Sequence, residues 1–179
     1  MNPKHLLSCM PMLLTACTAA QSLPEAHPIP ATLAPEAAHL AMVVPAKGFQ
    51  IYECRAKAGA AGTYEWAFVA PDATLFDAAG NTIGRHGAGP YWEAADGSRV
   101  VATVKARADA PVAGTIPWLL LASRSTGPAG AFSGVTSIQR VNTTGGATPD
   151  TPCNTENAGA RKGVAYTADY RFFTAQSTR

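Results

Sequence analysis

Charge is scarce in this chain. Only 15% of its 179 residues are charged, and 14 basic against 12 acidic side chains leave a formal +2. So small a surplus, with no basic run, excludes an electrostatic nucleic-acid binder, which must neutralise clustered phosphates. Long apolar runs are missing too: no stretch of about 18 apolar residues exists, so no segment reads as a transmembrane helix. Amphipathic helical periodicity is absent, and the four cysteines form no CxxC pair. What is present is 47% hydrophobic residues, with Gly 16 and Pro 14. That apolar content excludes a disordered chain and suits one domain rich in turns.

The amino terminus reads as an export signal. Lys4 and His5 precede a mostly apolar core, Leu6 to Ala16, too short to span a bilayer. The core ends in Leu14-Thr15-Ala16-Cys17, which resembles the lipobox of bacterial lipoproteins. There a peptidase cuts before the cysteine and its thiol carries lipid. Residues 1–16 are then the signal peptide and Cys17 the lipidation site; the alternative is an ordinary signal cut near Ala19 or Ala20. Thr18 in place of Asp after the cysteine implies passage to the outer membrane. The expected location is the bacterial cell envelope, as an outer-membrane lipoprotein. Removing Lys4 leaves 13 basic against 12 acidic residues. Membrane attachment would therefore come from lipid rather than charge. Residues 17–39 are rich in Ala and Pro and read as an extended tether.

Export reorganises the cysteines. Cys9 leaves with the signal and Cys17 carries lipid, so Cys54 and Cys153 remain for a disulfide in an oxidising compartment. A redox or metal pair is the rival, without the spacing such sites use.

Inside the domain, placed at 40–175 with a tail at 176–179, the period is two. Phe49 and Ile51 alternate with Gln50 and Tyr52, and Tyr64, Trp66, Phe68 and Ala70 are assigned one face. Val100 to Arg107 and Val164 to Phe172 alternate likewise, and Ile116 to Ala122 reads as a central apolar strand. Turn signals at Asp77–Asn81 and Asp96–Ser98, with Gly/Pro-rich stretches at 126–134 and 143–152, separate the runs. The expected fold is all-β: an antiparallel β-sandwich or barrel with long Gly/Pro-rich loops.

Several segments in order resemble the family catalogued as domain of unknown function 3455. They include Gln50-Ile51-Tyr52-Glu53-Cys54, Tyr64-Glu65-Trp66 with Ala70-Pro71, and Gly84-Arg85-His86 through Gly89-Pro90-Tyr91-Trp92-Glu93. They continue through Asp96-Gly97-Ser98, Ile116-Pro117-Trp118-Leu119-Leu120, Ile138 to Gly146 and Tyr166-Thr167-Ala168-Asp169-Tyr170. The resemblance implies an exported domain and brings no catalytic residues with it.

Six residues are the candidate ligand-binding set: His86, Tyr91, Trp92, Glu93, Arg140 and Asn142. Beside Tyr91, Trp92, Glu93 and Asp96, His86 is suited to a polar pocket, as base or metal ligand. A single histidine is a thin metal site, so neither metal nor cofactor is expected. Tyr91 and Trp92 beside Glu93 are suited to stacking on a sugar or other flat ligand, whereas Trp66 and Trp118 read as core. Gln139 to Gly146 is suited to cradling an anion through its N–H groups and Arg140. The plainer alternative pairs Arg140 with Asp169 or Glu93 to pin neighbouring strands. No G-x-S-x-G elbow surrounds any serine, and Glu93 and Asp96 are three apart, on opposite faces of a strand. The expected function is a lipid-anchored module binding a small molecule, glycan or envelope partner, and no nucleic acid. The alternative is a hydrolase-like enzyme using His86 with Glu93 or Asp96 and Arg140. That alternative requires those side chains to meet in one cleft.

Overall fold

The computed structural model describes residues 27–176. The expected signal, Cys9, Cys17 and the first part of the expected tether lie outside the described residues. Alternating stretches become eight strands: β1 (Ala38–Ala56), β2 (Tyr64–Phe76), β3 (Thr82–Gly87), β4 (Tyr91–Ala94), β5 (Arg99–Ala108), β6 (Trp118–Ser125), β7 (Val135–Gly145) and β8 (Arg161–Ala175). Each pairs antiparallel with the next, and β1 pairs with β8, so the sheet closes on itself. Of the two expected architectures, the barrel is the one formed. Closure removes both sheet edges, whose unpaired N–H and C=O groups would otherwise invite other chains.

The two ends of the barrel differ. At the end where β4 turns into β5, packed side chains fill the interior. Leu75, Val100, Ile138 and Phe172 meet there, with Phe132 set edge-on against Phe172 at 4.9 Å. Asp96 organises this end. Its carboxylate accepts from the Ser98 amide (2.9 Å), the Ser98 hydroxyl (2.6 Å) and the Ala131 amide (2.8 Å). The Ser98 hydroxyl in turn accepts from the Phe132 amide, so the 126–134 loop and its plugging phenylalanine are tied to one turn. Gly97 makes that turn with φ 83°, a backbone region open to glycine.

A second cluster lies outside the barrel. Residues 31–33 form a 3-10 turn that lays Leu33, fully buried, on Trp118 and Val141. Gln139 Nε2 donates to the Leu33 carbonyl at 2.6 Å. The domain therefore begins before residue 40, and the segment from Ile29 to Leu33 is packed rather than tethering. Prolines bar this segment from a ladder without preventing one leucine from burying its side chain. The same strap explains the continuous apolar run. β6 turns Leu119 and Leu121 inward and Trp118 and Leu120 outward beneath the strap, so both faces are covered.

Cys54 and Cys153 are joined in a disulfide with Cα atoms 5.6 Å apart. It ties the connection between β7 and β8 to the end of β1. Such bonds belong to chains that meet an oxidising, exported environment.

Candidate functional site

The opposite end of the barrel is hollow. A cavity of about 670 Å³ opens there, walled by side chains from all eight strands and roofed in part by Thr115 and Thr148 from two connecting loops. Small barrels of eight strands have room for packed side chains or one small ligand, and this barrel is divided between the two.

Inward residues follow from register. β1 turns Gln50, Tyr52 and Cys54 inward and leaves Phe49 half exposed outside. Opposite it, β2 carries a bulge between the pairs Ile51↔Ala70 and Tyr52↔Phe68. The extra residue, Val69, switches parity, so Phe68 and Trp66 line the cavity with Val69 and Pro71, while Ala70 does not. The expected shared face of Tyr64, Trp66, Phe68 and Ala70 is broken at that point. A bulge re-aims every side chain beyond it. Trp66 is consequently a mouth residue, donating to the Thr151 carbonyl at 2.8 Å, and not core. A second register shift, between Val104 and Ala106, sets Arg107 opposite Leu119 and onto the cavity rim.

The floor is aromatic. His86 and Trp92 face each other across β3 and β4 with rings stacked at 4.2 Å and 14°. Tyr170 meets both edge-on, at 5.0 and 5.3 Å. His86 Nδ1 lies 2.7 Å from the Tyr91 carbonyl, and a carbonyl only accepts, so Nδ1 carries the proton and Nε2 is left as an acceptor. Burial drives the His86 pKa down to about 3, against the pull of the Tyr91 carbonyl and with help from the nearby Arg140 charge. The ring is neutral at physiological pH. Burial also raises the phenol pKa values of Tyr52, Tyr166 and Tyr170. Tyr52 donates to the Gly146 carbonyl at 2.7 Å, and the Tyr166 and Tyr170 hydroxyls are 3.3 Å apart.

Arg140 supplies the charge. Its Nε and Nη2 donate to the Pro117 carbonyl at 3.1 and 2.9 Å. Among the described residues it has no carboxylate partner. The expected pairs with Asp169 and Glu93 do not form. Asp169 accepts from Asn142, and Glu93 is held by Arg85 at 2.7 Å and Arg99 at 3.6 Å.

Of the six expected residues, His86, Trp92 and Arg140 share the cavity. Tyr91 and Glu93 take the other parity of β4: Glu93 sits in its arginine pair, and the Tyr91 ring lies under the Arg99 guanidinium at 3.9 Å. Asn142, at φ 50° in a β7 bulge, lies exposed with its amide on Asp169. The expected anion cradle at Gln139–Gly146 is strand instead. Its Thr143 hydroxyl donates to the Ile116 carbonyl and its Gly146 amide to the Ala165 carbonyl. Among the described residues no three of His, Cys, Asp and Glu gather around a common point.

Gln50, Tyr52, Trp66 and Tyr170 complete the site and escaped the sequence reading. Gln50 and Tyr52 share parity with Cys54, the expected disulfide partner, and that parity is the signal that could have found them. Gln50 Nε2 is buried with no hydrogen-bond partner among the described residues.

A family model described as "Protein of unknown function (DUF3455)" matches residues 35–174, and the chain belongs to that family. No curated protein and no solved structure matches it.

Proposed function

We propose that this member of the domain-of-unknown-function 3455 family is an exported carrier or sensor barrel that holds one small amphipathic molecule in its open end. The observation that carries the reading is a cavity of about 670 Å³ with a few polar groups set among apolar walls, in an otherwise packed barrel. Small-molecule sites have that size and that mixture, roughly 300–1,000 Å³ with a few convergent polar groups. Holding rather than converting is favoured because, among the described residues, no Asp or Glu lines the cavity and its histidine is a neutral, stacked ring. The hydrolase alternative needed Glu93 or Asp96 beside His86; the first is engaged by arginines on the other face of β4 and the second organises the far turn. Lipidation at Cys17, carrying the barrel on the outer membrane, is part of the same proposal, supported by the Leu-Thr-Ala-Cys order and by the disulfide.

The test uses the neutral dye N-phenyl-1-naphthylamine, which fluoresces when taken out of water. The chain from Thr18 onward, which retains every described residue, is expected to enhance the dye saturably. A Leu119→Trp variant, which fills the cavity, is expected to abolish the enhancement. No enhancement by the unaltered chain, or equal enhancement by both proteins, refutes the reading.

A further inference from the structure

The cavity sets polar groups among the buried Trp92, Ile116 and Leu121 at its bottom, and two large apolar side chains stand exposed at its opening. Gln50, His86 and Tyr170 at the bottom are each no more than 4% exposed. Phe68 and Val104 at the opening are 51% and 57% exposed, although both are large apolar side chains. A ligand with its tail buried and its head in water would want the reverse arrangement. Arg140 lies with the deep group, close enough for its charge to act on His86, Tyr52 and Tyr170. Two of its five N–H directions go to the Pro117 carbonyl and the Tyr170 hydroxyl lies against it, which leaves donors for a ligand. Arg140 is partly buried, and a guanidinium drawn out of water without a carboxylate favours an anion arriving to meet it. Arg107 adds a second cation at the rim, and among the described residues the lining contains no acid to repel an incoming anion.

We infer that the ligand is a monoacyl anion, a fatty carboxylate or a close relative, which enters head first, sets its anionic group on Arg140 and leaves its chain against Phe68 and Val104. The inference rests on the cavity-binding reading above and names the class of molecule bound. His86 Nε2, an acceptor with no hydrogen bond to a described residue, suits a hydroxyl beside the anionic group. The surroundings of the mouth agree with a ligand drawn from lipid. Ile29 packs in the outer cluster that includes Ala108 and Ala110, so the first described residues lie beside the mouth end of β5. Ten positions, 18 to 27, separate Cys17 from Pro28, a reach of roughly 30 Å if extended. An anchor at Cys17 would hold the opening within that distance of a bilayer.

The test is displacement of N-phenyl-1-naphthylamine from the chain beginning at Thr18, with decanoate, decan-1-ol and hexanoate as competitors. Decanoate is expected to displace the dye at a concentration at least tenfold below that of decan-1-ol. Arg140→Gln is expected to bring the two within about twofold, with the dye still bound. Should that variant fail to fold, the decanoate-to-decanol ratio in the unaltered chain decides alone. Replacing Phe68 and Val104 by serine should weaken decanoate several-fold while leaving hexanoate nearly unchanged. Equal displacement by acid and alcohol overturns the anionic assignment and leaves the cavity-binding reading standing. Equal weakening of both acids by the rim replacements overturns the head-first placement. A dye that never binds refutes both the inference and the reading beneath it.

Discussion

Replacing His86 by Phe separates the ring's packing from its titration. Phe keeps an aromatic ring against Trp92 and Tyr170 but cannot take a proton. In the folded barrel His86 titrates at about 3, against 6.5 for the free side chain. Above pH 6.5 the imidazole is neutral in both states and contributes no pH dependence. Below that, the unfolded chain binds a proton that the folded chain refuses, so stability falls as pH falls. The slope approaches 1.4 kcal/mol per pH unit, and the whole effect is on the order of 5 kcal/mol by pH 3. The Phe variant lacks this slope and instead leaves the Tyr91 carbonyl without its donor, a fixed cost of about 1–3 kcal/mol. The two stability curves should therefore converge below pH 6.5 and cross between about pH 4 and 6, with the variant the more stable below the crossing. Glu53, Asp77 and Asp96 also have depressed pKa values. Their acid losses occur in both proteins and cancel in the difference. Urea unfolding followed by tryptophan fluorescence from pH 4 to 8 measures it, with unchanged m-values as the check on two-state behaviour. A difference that stays constant across this range would refute the buried, neutral histidine.

Other outcomes follow from the same contacts. Leu33→Ala should cost about 2–4 kcal/mol in chemical denaturation, because the side chain is fully enclosed by Trp118 and Val141, and a chain begun at Leu40 should be destabilised at least as much. Cys54→Ser should lower stability by up to about 4.7 kcal/mol for a loop of 99 positions and weaken dye binding, since the freed connection carries Thr148 of the cavity wall; alkylation of the native protein should find no thiol at 54 or 153. Asp96→Ala should lower the urea midpoint and leave dye affinity unchanged, because its carboxylate ties the 126–134 loop at the packed end. Cys17→Ser in the full chain should abolish fatty-acid labelling and move the protein to the soluble fraction; persistent labelling would remove the anchor from the account.

Period-two alternation, turn glycines and the leftover cysteine pair made strands, hairpins and disulfide legible in the sequence. Closure was not legible, because pairing of β1 with β8 leaves no local mark. Nor was parity across bulges: Phe68 and Ala70 look alike in sequence, and only the extra residue at Val69 puts them on different faces. His86, Trp92 and Arg140, which share the cavity, stand out in the sequence as unusual chemistry in a chain poor in charge. Glu93 and Asn142 were drawn in by proximity along the chain, yet one step along a strand moves a side chain to the other face. Gln50 and Tyr52 were passed over since Phe49 and Ile51 look like the buried pair. On β1 beside the cavity Gln50 and Tyr52 turn inward instead, and Phe49 lies outside. Leu33 was hidden by the prolines around it.

A crystal structure of the chain from Thr18 onward, grown with decanoate, tests the central claim most directly. The carboxylate is expected within hydrogen-bonding distance of Arg140, with the chain running out past Phe68 and Val104. An empty cavity at saturating decanoate, or a carboxylate at the rim with the tail below, would contradict it.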